Sequence, residues 1–95
     1  MAIVVETLVL QASKADADRF DDSMRAAMMQ LGGPPAGLMV HITRPSGDGF
    51  LLCNVWRAEA EMRPFYDDVI RPKLAQAGLH AEEPQVWPVW VLARP

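Results

Sequence analysis

Residues Ala2 to Leu10 are apolar except for Glu6 and Thr7 and rich in β-branched side chains. That pattern predicts a central strand covered on most of both faces. Ser13 followed by Asp16 resembles a capping box with aspartate in the glutamate position, and Asp16, Asp18, Asp21 and Asp22 suit the positive end of a helix dipole, so a helix is expected from about Lys14. Phe20, Met24, Ala27, Met28 and Leu31 recur at helical spacing and form one stripe facing a sheet, until Gly32-Gly33-Pro34-Pro35 ends the helix. Gly37 to Arg44 and Phe50 to Trp56 read as strands of a hairpin joined through Pro45-Ser46-Gly47-Asp48-Gly49.

A second helix is expected over Ala58 to Ala77, with Met62, Phe65, Tyr66, Val69 and Leu74 roughly on one side. Pro64 and Pro72 each delete an amide donor, which predicts a kink or break near Arg71. Gln85 to Leu92 reads as a last strand whose Pro88 places it at an edge or bulge. The order βαββαβ predicts an α+β, ferredoxin-like domain spanning residues 1–95: a four-stranded antiparallel sheet with two helices on one face and the other face bare. Hydrophobic residues are 51% of the chain and charged residues 22%, more apolar material than one small core needs. The bare face therefore calls for a partner, expected to be a second copy.

Charge and composition narrow the function. A net charge of -3 with nine dispersed basic residues argues against nucleic acid, and no apolar run approaches the length of a membrane helix, so a soluble cytoplasmic protein is expected. RNA-recognition modules share the element order, but Asp48-Gly49-Phe50-Leu51-Leu52-Cys53 lacks their basic and stacking residues. The single cysteine, Cys53, is expected to be a buried, inert thiol. No metal site, nucleophile elbow or phosphate-binding glycine loop is expected from the spacing of residues.

Gly37-Leu38-Met39-Val40-His41, the Asp48-Gly49-Phe50 turn, Asn54-Val55-Trp56 leading into a helix, Phe65-Tyr66, Pro72, Ala77-Gly78 and Pro88-Val89 resemble the antibiotic biosynthesis monooxygenase-like group of dimeric α+β barrel proteins. The resemblance covers most of the chain from about Gly37 onward. It implies two subunits pairing sheet faces into a barrel, with a pocket inside each between sheet and helices. Two departures stand out. Similar sequences often carry a carboxylate two residues before the tryptophan and continue Trp-Glu-Ser, where this chain has Asn54 and Trp56-Arg57-Ala58. The missing serine removes an N-cap hydroxyl, leaving Glu61 to bond back to the helix start. In the characterised cofactor-independent oxygenases an asparagine lies further upstream, about where Leu52 stands, so their catalytic set does not transfer.

His41, mid-strand and on one face with Met39 and Thr43, is the best acid or base available and a candidate to deprotonate a phenol, enol or activated carbon acid. The same position also suits a histidine satisfied by hydrogen bonds in a core or interface. Asn54, expected opposite His41 if the hairpin loop runs Ser46 to Gly49, is the candidate to orient a carbonyl or phenolate, and is equally a buried amide that satisfies backbone. Met24, Met28, Met39, Trp56, Tyr66 and Trp87 are candidate contacts to a small apolar or aromatic ligand, though such side chains also serve ordinary packing. Trp87 and Trp90 fall on opposite faces of the last strand, so at most one belongs to a pocket.

The reading that follows is a monooxygenase-like enzyme, independent of cofactors, acting on a small cyclic, phenolic or polyketide-like compound. An isomerase, cyclase or decarboxylase on the same scaffold, and a dimeric binding or accessory protein without turnover, are the alternatives.

Overall fold

The computed structural model describes residues 1–93. Strand β1 (Ile3–Leu10) lies in the middle of an antiparallel sheet. It pairs on one side with β3 (Gly49–Trp56), which in turn pairs with β2 (Leu38–Ser46). Its other side is shared by two short strands, β4 (His80–Ala81) and β5 (Gln85–Pro88). The fourth position of the expected sheet is thus filled by two segments, with Pro84 between them, and the last strand ends at Pro88 rather than Leu92. Pro88 has no N–H to extend the ladder, and it does lie on an edge strand, where that loss costs least. The whole is the expected α+β, ferredoxin-like arrangement.

Along β1 alternate residues divide sharply. Ile3, Val5, Thr7 and Val9 are buried, whereas Val4, Glu6 and Leu8 are half-buried on the opposite face, so the second face is covered less than expected. The first set joins Phe50, Leu52 and Trp56 of β3 with Phe20 and Met24 from one helix and Met62, Phe65, Tyr66, Ile70 and Leu74 from the other in a continuous core. Both helices therefore cover the same sheet face.

Helix α1 (Lys14–Gln30) starts at the expected capping box: Asp16 N–H donates to Ser13 Oγ at 3.1 Å, and Ser13 N–H donates to Asp16 Oδ2 at 2.9 Å. Its stripe buries Phe20 and Met24 and packs Met28 on the core, but Leu31 lies beyond the helix end and is exposed. The turn Gly47-Asp48, with Gly47 at φ +57°, leaves Ser46 paired with Gly49 and sets the register of the β2–β3 hairpin. At the far end a bulge between Leu38 and Val40 makes Leu38, not Met39, the partner of Trp56. Met39 is the extra residue, so it does not continue the His41–Thr43 alternation that the plain strand pattern implies.

The second helical segment runs as α2 (Glu59–Phe65), a π-helical turn (Tyr66–Ile70) and α3 (Arg71–Gln76). In the turn Arg71 N–H donates to Tyr66 C=O, five residues back. Pro72 supplies no N–H and its ring would crowd the carbonyl four residues before it, so the helix takes in an extra residue immediately upstream instead of breaking. That insertion advances the buried face onto Ile70. At the start of α2, Ala58 makes no side-chain cap, and the Glu61 carboxylate pairs with Arg57 at 2.9 and 2.5 Å instead of bonding back to the helix start.

The uncovered face carries Val40 and Ile42 of β2, Leu51, Cys53 and Val55 of β3, Val4 and Leu8 of β1 and Trp87 of β5, as the cross-strand pairing dictates. Ile42 and Trp87 are about half exposed there, at 51% and 49%. Cys53 also belongs to this face and is half-buried rather than enclosed. Burial pushes its thiol pKa up, and the nearby Glu6 carboxylate adds to the rise.

Candidate active site

The hairpin register places His41 directly opposite Asn54, as the Gly47-Asp48 turn requires. Both side chains lie on the helix-covered face, Asn54 buried and His41 partly open. His41 Nδ1 stands 2.5 Å from Asn54 Oδ1. Since that oxygen can only accept, Nδ1 carries the hydrogen and donates it. In the neutral ring Nε2 then holds a lone pair.

Nε2 faces two further groups. Thr43 Oγ1, two residues along β2, is 3.3 Å away, and Asp21 Oδ1, on α1, is 3.8 Å away. The other carboxylate oxygen of Asp21 forms an ion pair with Arg25 Nη2 at 3.0 Å, one helical turn on. His41, Thr43 and Asp21 belong to the wall of a cleft of about 490 Å³ between the first half of α1 and the β2–β3 hairpin, within the usual size of small-molecule sites. Ala17, Pro45, Gly49 and Phe50 give it an apolar surface, and Lys14, Asp18 and Arg44 bring charge to it. Gly49 is needed there: a Cβ at this position would lie 1.9 Å from the Val9 carbonyl oxygen.

Of the residues singled out in the sequence, the structure brings together His41 and Asn54. The remaining candidates stand elsewhere. Met24 is buried in the core and Met28 packs against it; neither lines the cleft. Met39 sits at the bulge, exposed. Trp56 is 1% exposed and packs on Phe65 with ring centroids 5.8 Å apart, its Nε1 buried without a hydrogen-bond partner among the described residues. Tyr66 is buried under the Arg71 guanidinium, 5.0 Å above its ring; burial pushes its phenol pKa up, with Arg71 and Thr7 pulling the other way. Trp87 pairs with Val4 and so stands on the uncovered sheet face, on the far side of the sheet from the cleft. Trp90 is 89% exposed beyond the last strand.

Two residues of the site, Asp21 and Thr43, carry no role in the sequence reading. Asp21 reads there as one of four acids favouring the start of a helix. The signal that marks it is the set Lys14, Ala17, Asp18, Asp21 at i, i+3, i+4 and i+7, a stripe beside the core stripe that turns out to face the hairpin. Among the described residues no helix is long and apolar enough to cross a membrane, and no group of three or more His, Cys, Asp or Glu side chains is placed to hold a metal ion.

The architecture is that of a ferredoxin-like α+β sheet with one open face and a cleft on the helix side. No family model and no curated protein matches the chain. Solved structures share its fold. A candidate antibiotic biosynthesis monooxygenase from Deinococcus radiodurans aligns over 100% of this chain and 98% of its own, with a TM-score of 0.61 and 14% identity. SnoaB, a cofactor-independent oxygenase from Streptomyces nogalater, aligns over 96% and 93%, with a TM-score of 0.60 and 15% identity. A candidate monooxygenase from Shewanella loihica PV-4 aligns over 96% of both chains, with a TM-score of 0.57 and 19% identity. The chain thus has the fold of antibiotic biosynthesis monooxygenase-like proteins; at these identities the likeness is one of architecture.

Proposed function

We propose that the protein is a cofactor-independent, monooxygenase-like enzyme. It acts on a small cyclic, phenolic or polyketide-like compound in the cleft between α1 and the hairpin, and it works as a homodimer closed through the apolar sheet face. The observation that carries the reading is the Asn54–His41 hydrogen bond, which leaves Nε2 as a base facing the cleft.

The chemistry follows from that geometry. Nε2 takes a proton from an activated CH₂ or phenol, and the resulting carbanion or phenolate is the reductant. One electron passes from it to dioxygen, and the two radicals combine into a carbon-bound peroxide anion. The imidazolium returns its proton, and the hydroperoxide loses water to leave a carbonyl. For a CH₂ substrate the sum is R₂CH₂ + O₂ → R₂C=O + H₂O, with His41 regenerated. Thr43 and Asp21 lie within reach of the imidazolium that exists between the two proton transfers.

Oxygen uptake and product analysis with a panel of anthrones and quinols test the proposal. Uptake above the uncatalysed rate, lost in His41→Ala, is expected; uptake unchanged in that variant overturns the role of His41. A binding protein without turnover is the second reading. It is favoured by the placement of Trp56, Tyr66 and the methionines away from the cleft wall, and saturable binding without oxygen uptake would establish it.

A further inference from the structure

Asp21 and His41 together present an arrangement that neither residue makes alone. The Nδ1 hydrogen of His41 is committed to Asn54, so neutral Nε2 only accepts. Asp21 Oδ2 is committed to Arg25, leaving Oδ1 as a second acceptor 3.8 Å from Nε2 on the same cleft wall. Two acceptors cannot bond each other. The Thr43 hydroxyl, 3.3 Å from Nε2, has a single hydrogen and satisfies at most one of them. The cleft also offers an apolar surface, formed by Ala17, Pro45, Gly49 and Phe50, beside the charged Lys14, Asp18 and Arg44.

We infer that the cleft selects an aromatic compound with hydroxyls on neighbouring or alternate ring carbons, a catechol- or resorcinol-type ligand. One hydroxyl donates to His41 Nε2 and the other to Asp21 Oδ1, while the ring lies on the apolar surface. The 3.8 Å between the two acceptors lies between the oxygen separations of the two arrangements, so both bonds form with a small outward or inward splay. A ring with a single hydroxyl, or with hydroxyls on opposite carbons, leaves one acceptor without a donor. An aliphatic diol offers the hydrogens but neither the flat apolar surface nor a proton acidic enough for imidazole. Lys14 and Arg44 on the same lining offset the Asp18 and Asp21 carboxylates when the first hydroxyl gives up its proton. This assignment rests on the reading of the α1–hairpin cleft as the substrate site.

The test is equilibrium binding of catechol, resorcinol and hydroquinone, three isomers differing only in hydroxyl placement. Amide chemical shifts are followed under nitrogen, at a pH of about 8, where imidazole is ordinarily neutral. Catechol and resorcinol are each expected to bind about tenfold or more tightly than hydroquinone, the scale of a hydrogen bond to a charged group, with shifts centred on Asp21, His41 and Thr43. Asp21→Asn should bring the isomers to within about twofold of each other, since an amide that turns its NH₂ inward is a donor. Asp22→Asn, which removes the same charge from the exposed neighbour, should keep the preference. Equal affinities of all three isomers, a preference over hydroquinone that survives Asp21→Asn, or no saturable binding by any isomer would each overturn the inference. Oxygen uptake with monohydroxylated anthrones, measured separately in air, shows whether the oxygenase reading stands or falls independently of that result.

Discussion

Replacing Asn54 with alanine removes the acceptor that decides where the His41 hydrogen sits. The bond is part-buried and 2.5 Å long, and a net contribution of about 0.5 to 1.5 kcal/mol corresponds to roughly a 2- to 12-fold bias toward the Nδ1–H form. Without it the neutral ring redistributes toward Nε2–H, which has no lone pair in the cleft. Activity that depends on Nε2 as a base is then expected to fall at least several-fold, and further as the ring loses its orientation. Asn54 is buried, so stability should drop as well, by about 1 to 2 kcal/mol, or roughly 4 to 16 °C in Tm for a domain of this size. Asn54→Asp separates the two effects, because a carboxylate still accepts from Nδ1 and should retain the tautomer. The assay is ¹⁵N NMR of the imidazole, in which protonated and bare ring nitrogens resonate far apart, run beside oxygen uptake. A wild-type ring with its hydrogen on Nε2, or a tautomer unchanged in Asn54→Ala, would refute the reasoning whatever the rates.

Other consequences are equally open to measurement. Ile42→Lys puts an ammonium in the middle of the apolar sheet face and should convert a particle of twice the 10.5 kDa chain mass into monomer by sedimentation; a wild-type chain that is already monomeric at micromolar concentration contradicts the dimer. Gly49→Ala sets a methyl against the Val9 carbonyl and should destabilise by about 1 to 3 kcal/mol in chemical denaturation, with loss of the cleft's shape; an unchanged midpoint would be the contrary result. The Arg71 guanidinium, bonded to Glu83 at 2.9 and 3.1 Å, holds that carboxyl below its ordinary value of 4.5. The folded pKa lies below the unfolded one, so the tether helps above about 4.5 and is lost as pH falls through the depressed value. Hydrogen exchange in the β4–β5 segment should therefore speed up in acid relative to β3, and Glu83→Gln should weaken that pH dependence.

How far the sequence reaches can be judged from single positions. Gly47-Asp48 admits so short a turn that Ser46 must meet Gly49, and the His41–Asn54 pairing follows by counting. Ser13 and Asp16 state the start of α1, and Pro72 states that the second helix cannot continue undisturbed, although only the structure shows an inserted π turn instead of a break. These are local rules, settled within a few residues. The bulge at Met39 is different: nothing in Gly37-Leu38-Met39-Val40 marks the extra residue, which comes from fitting Leu38 into the core against Trp56. Trp87 illustrates a second limit. Its alternation with Val86 is legible, but which of the two meets the helices depends on its pairing with β1. Asp21 is a third case, since an acid on an outer helix stripe acquires meaning only when the hairpin packs beside it.

The central claim is that His41 removes a proton from the bound substrate, and the proton itself reports on it most directly. With an anthrone deuterated at its CH₂ and oxygen excluded, the wild-type protein should accelerate loss of deuterium to water, and His41→Ala should return the rate to that of buffer. Washout that is no faster with the wild-type protein than without it, in a sample shown by NMR to bind the anthrone, would contradict the account.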